Sequence, residues 1–139
     1  MTRTILLLAL ISGLIILAPS AYAQTAELKA SMERGKEVYA SYCTTCHMEN
    51  GEGIETVYPP IAKSDYLMAD KKRAILQVMN GASGEMKVNG VVYNGEMISF
   101  GLSDEEVSDV VNYIRNSFGN KDKGGPVKPA DVTALRTKK

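Results

Sequence analysis

The sequence predicts a small all-α domain: three main helices, long loops, and more interior than its own side chains can fill. Three observations lead there. Three segments, at about 26–42, 70–80 and 103–118, repeat apolar residues at helical steps. The stretches between them are rich in glycine and proline and carry little helical period. Three helices joined in this way bury too little apolar surface for conventional packing in a chain of 139 residues, which is one domain by length.

The chain opens on MTRTILLLALISGLIILAPSAYAQ. Arg3 gives a positive start, and the apolar run Ile5 to Ala18 is short for a bilayer span and right for an export signal. Pro19 and Ser20 break the run, and Ala21-Tyr22-Ala23 is a cleavage site of the A-x-A type. Residues 1–23 are therefore expected to be a signal peptide, with 24–120 the domain and 121–139 a C-terminal extension. The alternative is an uncleaved membrane anchor. After cleavage no membrane span is expected, and the product is periplasmic or otherwise exported. Cleavage removes one base and no acid, taking 16 basic and 16 acidic residues to 15 and 16. A net charge of −1 is no basic footprint, so no nucleic-acid partner is expected.

The first helix is expected from about Ala26 to Tyr42, with Met32, Gly35, Val38, Tyr39 and Tyr42 on one face. Gly35 inside that helix costs about 1 kcal/mol relative to alanine and points to close approach of another helix. Residues 48–66, with Gly51, Gly53 and Pro59-Pro60, read as a loop wrapping a large object. A short helix from about Asp70 to Asn80 buries Ile75, Val78 and Met79 and stops at Gly81. Its Lys71-Lys72-Arg73 turn is either solvated or a partner-docking patch. The glycine-rich stretch to Gly101 is read as a loop, with a few strand-like pairs at Val91 to Tyr93. Ser103 and Glu106 then make a capping box, and Asp104, Glu105 and Glu106 suit the positive end of the helix dipole. Val107, Val110, Val111, Ile114 and Phe118 trace one face, and Gly119 or Asn120 ends that helix. PADVTALR, 129–136, forms a short terminal helix after a linker.

Both cysteines and the single histidine fall within five positions, Cys43-Thr-Thr-Cys46-His47. C-x-x-C-H is the attachment signature of c-type haem. Two thiols three residues apart lie on one side of a helical turn and can add to the two vinyl groups of haem. His47, next in sequence, can then ligate the iron. The alternatives are a thioredoxin-like dithiol, which wants a βαβ context, a zinc site, which wants a fourth ligand, and a plain disulfide. One covalent haem c at Cys43 and Cys46 is the reading adopted, and the haem also supplies the core that the helices lack.

With His47 used, the second axial ligand has to be sought among the methionines. Met48 lies on the wrong side of the ring, Met32 faces the first helix's core, and Met68 and Met79 read as core filler. Met97 and Met86 lie in the glycine-rich stretch, and Met97 is favoured, with Met86 the alternative. Of the tyrosines, Tyr93 is a candidate hydrogen-bond donor to a haem propionate.

The ordered set RGKEVYASYCTTCH, YPPIAKSDYL, YNGEMISFG and LSDEEVSDVVNYIRNSFGN, spanning about 30–120, resembles the class I cytochromes c. It is similar in particular to small domains found beside periplasmic dehydrogenases or fused to copper nitrite reductases. The resemblance implies the cytochrome c fold, with Gly35 and Tyr39 packed against Tyr113 where the first and last helices cross. It implies that the Pro59 carbonyl accepts the second imidazole N–H of His47 and that Ile61 touches the haem edge. One departure is Ile98, where a proline often follows the ligand methionine.

The expected function is an electron carrier whose His/Met iron cycles between Fe(III) and Fe(II) at positive potential. Its partners would be an upstream dehydrogenase or quinol-oxidising complex and a downstream oxidase or reductase, meeting it transiently. The alternative is a dedicated cytochrome subunit of one periplasmic dehydrogenase or reductase. No distal acid–base constellation is visible, so the chain is not read as an enzyme.

Overall fold

The computed structural model describes residues 19–136, with side chains from Thr25 onward. Most of the expected signal, residues 1–18, and the terminal 137–139 lie outside the described residues. Helix α1, Pro19–Tyr42, runs directly into α2, Thr44–His47, which carries the second cysteine and the histidine. Helices α3, Asp65–Ala69, and α4, Lys71–Asn80, follow the proline loop. Strands β1, Ala82–Val88, and β2, Val91–Met97, come next, then α5, Asp104–Asn116, and α6, Pro129–Arg136.

Local chemistry sets most boundaries. The Ser64 hydroxyl accepts from Leu67 N and starts α3, and the Asp70 carboxylate accepts from Arg73 N at 3.0 Å and starts α4. The capping box closes on α5, with Ser103 Oγ accepting from Glu106 N at 3.2 Å and Glu106 Oε2 accepting from Ser103 N at 2.8 Å. That helix ends earlier than the periodicity implies. Phe118 lies beyond it with φ of 56°, folded back so that its ring sits 5.1 Å from that of Tyr39 and 5.4 Å from that of Tyr113. A residue can occupy the right helical position by count and still leave the helix when a better aromatic contact lies beyond it.

Helical the chain is, but the expectation of an all-α fold needs correcting. Residues 82–97 form an antiparallel hairpin in continuous register from Ala82↔Met97 to Val88↔Val91. Asn89-Gly90 makes its two-residue turn with φ of 49° and 87°, the left-handed pair that such turns demand. Pairing supplies the backbone partners that the sparse side chains of this stretch cannot.

Helices α1 and α5 cross at Gly35, where an added Cβ would lie 2.0 Å from the Asp109 carbonyl oxygen. Tyr39 packs against Tyr113 at the same crossing, ring centroids 5.6 Å apart. Two apolar clusters flank α5. Tyr39, Val110 and Ile114 form one, and Ile75, Met79, Val107, Val111, Val127 and Val132 belong to the other. Val78, expected to be buried, is half-buried and packs against both clusters, and Ala74 is buried as well.

Four polar residues of α5 are buried, and three of them, Asp109, Asn112 and Arg115, find partners in distant segments, while Ser108 donates to the Glu105 carbonyl of its own helix at 2.9 Å. Asp109 accepts from Ser31 Oγ at 2.6 Å and from the Arg34 guanidinium at 2.6 and 2.8 Å. Asn112 holds the extension by both backbone groups of Val127, donating at 2.8 Å and accepting at 2.7 Å. Arg115 donates to Asp122 at 2.9 Å and to the Leu67 carbonyl, tying α3 to the extension. Lys71 joins Asp122 at 3.1 Å, and the Arg73 guanidinium lies 3.7 Å over the Tyr66 ring. The basic turn is thus an internal brace at two of its three residues.

Candidate functional site

The two apolar clusters leave a cavity of about 500 Å³ bounded by α2, the proline loop, α4, α5 and the hairpin. Its size falls within the roughly 300–1,000 Å³ of small-molecule and cofactor pockets. Cys43, just ahead of α2, and Cys46 and His47 within it line one side, and Met86, Tyr93 and Met97 line it from the hairpin. Pro59 and Ile61 contribute from the loop. All seven residues singled out from the sequence, and Met86 besides, border the same space.

The CxxCH segment is fixed from both sides. His47 N and Met48 N donate to the carbonyls of Cys43 and Thr44, each at 2.9 Å, so the motif is one helical turn. Beyond it, Met48 takes φ of 64° and its carbonyl accepts from the buried Tyr39 hydroxyl at 2.8 Å. Gly53 N donates to the His47 carbonyl at 3.0 Å, which folds the loop back over the motif. His47 Nδ1 lies 2.9 Å from the Pro59 carbonyl. A carbonyl only accepts, so Nδ1 carries the proton and Nε2 keeps its lone pair. Burial holds the imidazole below its ordinary pKa, and the Pro59 bond only partly offsets this, so the ring is neutral at pH 7. A neutral, tautomer-locked imidazole is the form that binds a metal.

The two cysteines are free thiols. Burial, with a smaller contribution from Cys46, pushes the Cys43 thiol up to about 11. Among the described residues no group of three or more His, Cys, Asp or Glu converges as a zinc site would. Two unpaired thiols and one neutral imidazole on the wall of an apolar cavity fit a porphyrin attached through sulfur and ligated through nitrogen.

Opposing contacts position the methionine strand. Gly81, at φ of 81°, brings the end of α4 against the Met97 carbonyl; a Cβ there would sit 2.2 Å from that oxygen. Ser99 Oγ donates to the Met79 carbonyl at 2.8 Å just beyond. Tyr93 is 3% exposed and its hydroxyl has no hydrogen-bond partner among the described residues. The residue borders the cavity, and its accessible hydroxyl can donate to an acidic group there.

Sequence reasoning missed Tyr66 and Gln77, whose side chains line the cavity and join at 3.1 Å through Gln77 Nε2 and Tyr66 Oη. Ala74, Gln77 and Val78 present one face of α4 to the cavity, while Ile75 and Met79 enter the core beside it. A polar residue at i+3 within that stripe was the available signal.

A mainly helical shell around an apolar cavity, with two thiols and a histidine on its wall, defines a protein of covalent haem. The family model for cytochrome c matches residues 32–118, and the chain belongs to that family. It is 38% identical over 113 residues to cytochrome c-552 of Thermus thermophilus, covering 76% of this chain and 86% of that one. It is 33% identical over 105 residues to the cytochrome c subunit of a quinone alcohol dehydrogenase from Gluconobacter oxydans, covering 74% of this chain and 22% of that one. The CcoP subunit of a cbb3-type cytochrome c oxidase from Azospirillum brasilense is 30% identical over 98 residues, 66% of this chain and 30% of that one. The chain is therefore a monohaem electron-transfer cytochrome carrying haem c at its CxxCH motif.

Proposed function

We propose that the chain is an exported carrier that shuttles single electrons between a dehydrogenase or quinol-oxidising complex and an oxidase or reductase. When bound, the haem supplies a one-electron iron couple. Cys43 and Cys46 would hold it, and His47 and Met97 would ligate its iron. The observation that carries this reading is that a neutral His47, oriented by Pro59, and Met97, pinned at the end of α4, border one apolar cavity. Two fixed protein ligands leave little to rearrange when the charge on the iron changes, as a carrier requires. The apolar wall of Ile61, Val78, Val110 and Ile114 disfavours water in the same space. Tyr93 would donate a hydrogen bond to a propionate.

Export is supported by the Arg3, apolar and A-x-A pattern at the start of the chain. Among the described residues, no helix is long and apolar enough to cross a membrane. The similarity to dehydrogenase cytochrome subunits favours a second reading, a cytochrome held by one such enzyme. The larger share of the c-552 sequence covered supports the free carrier.

The test is the oxidised and reduced absorption spectra of wild type, Met97→Ala and Met86→Ala holoprotein. The weak long-wavelength sulfur-to-iron band is expected to vanish in Met97→Ala alone. Its persistence there, with loss in Met86→Ala, would transfer the ligand role to Met86.

A further inference from the structure

The hairpin that carries Met97 is held at both ends and bare in the middle. Its inner face presents four cross-strand pairs: Ala82 with Met97, Gly84 with Gly95, Met86 with Tyr93, and Val88 with Val91. The Met97 end is fixed by Gly81 and Ser99. The second pair has no side chains. Two-stranded hairpins are marginal by themselves, and this one lacks a cross-strand side-chain pair at its waist.

The other end is tied to α3. Asn89, in the turn, accepts through Oδ1 from Asp65 N at 3.0 Å, and Asp65 Oδ1 accepts from Asn89 N at 2.7 Å. The same carboxylate oxygen accepts from Tyr66 N at 2.6 Å. Each side chain thus satisfies the other residue's backbone amide across 24 positions of sequence. The span from this pair to Met97 is roughly 20 Å of strand.

We infer that Asp65 and Asn89 latch the hairpin across the cavity and thereby set how readily a foreign ligand displaces the Met97 sulfur. They are positioning residues that act through the strand; neither borders the cavity. With the latch closed, Val88 and Tyr93 stay buried, β1 stays against α3, and the strand cannot swing about the glycine waist. With it open, the tip half lifts while the Met97 end stays anchored, and the cavity admits small molecules from that side. This inference rests on Met97 as axial ligand.

The test uses ferric holoprotein in two measurements: hydrogen exchange of the amides of residues 82–97, and the rate of imidazole binding by stopped flow. Asn89→Asp sets two carboxylates against each other and is expected to raise both rates about fivefold. The exchanged pair Asp65→Asn with Asn89→Asp keeps both acceptors with one charge and is expected to return both rates to wild type. Asn89→Gly keeps the left-handed turn, removes one bond, and is expected to raise both rates less; it decides the matter should Asn89→Asp not fold. Unchanged hairpin exchange in these variants would overturn the latch. Faster exchange with unchanged imidazole binding would overturn its control of ligand access. Absence of the sulfur-to-iron band from wild type would instead defeat the Met97 assignment, and the exchange measurement would still judge the latch.

Discussion

Replacing Gly35 with alanine probes the crossing on which the site is built. In a free helix the change would be favourable by about 1 kcal/mol. Here the new Cβ falls 2.0 Å from the Asp109 carbonyl oxygen and 2.9 Å from Tyr113 Cβ. Contacts below 3.0 Å essentially never occur, so the two helices have to part by at least 1 Å. The obstacle is backbone, which cannot rotate aside as a side chain would. Overpacking of this kind costs about 1–3 kcal/mol. Separation also loosens the Tyr39, Tyr113 and Phe118 cluster, whose ring pairs are worth about 0.5–1.5 kcal/mol each. After the helix-propensity gain, a net loss of about 1–3 kcal/mol remains. Urea unfolding of holoprotein, followed by far-ultraviolet circular dichroism, should show a lower midpoint at unchanged slope. Tyr39 also donates to the Met48 carbonyl, so the absorption bands of the haem should broaden or shift with the helix. A Gly35→Ala protein as stable as wild type, or more so, would refute the close crossing.

Two further outcomes follow from the same geometry. Burial alone would raise the Asp122 carboxyl, but Arg115, the Gly124 amide and Lys71 outweigh it and lower the pKa from 3.8 to about 2. The folded state therefore binds fewer protons than the unfolded chain between those values, and stability from this group is lost as pH falls from about 4 to about 2. Asp122→Asn should flatten that part of an acid-unfolding curve and cost about 1–2 kcal/mol at pH 7; an unchanged curve would contradict the brace. A haem-free chain made as Cys43→Ala/Cys46→Ala is expected to lack fixed tertiary structure, because a cavity of about 500 Å³ separates α5 from the hairpin and loop. Native-like near-ultraviolet circular dichroism from that chain would count against it.

What the sequence could determine by itself was local. The CxxCH run, the Ser103–Glu106 cap, the Asp70 start and Gly81 stop of α4, and the terminal helix at 129–136 depend on residues within a few positions of one another, and short-range geometry suffices for these. Gly35 was readable as a close approach, though not what approached it. Tertiary structure alone decided the rest. Residues 82–97 carry too little periodic signal to choose strand over loop, and the ladder of cross-strand bonds made that choice. Phe118 satisfied the helical count and was drawn out of the helix by Tyr39 and Tyr113. Lys71 and Arg73 looked like solvated charge until Asp122 and the Tyr66 ring came beside them. Periodicity reports which face of an element is turned inward. It carries no information about what waits there, because partners such as Asp65 and Asn89, or Arg115 and Leu67, meet only after the chain between them has folded.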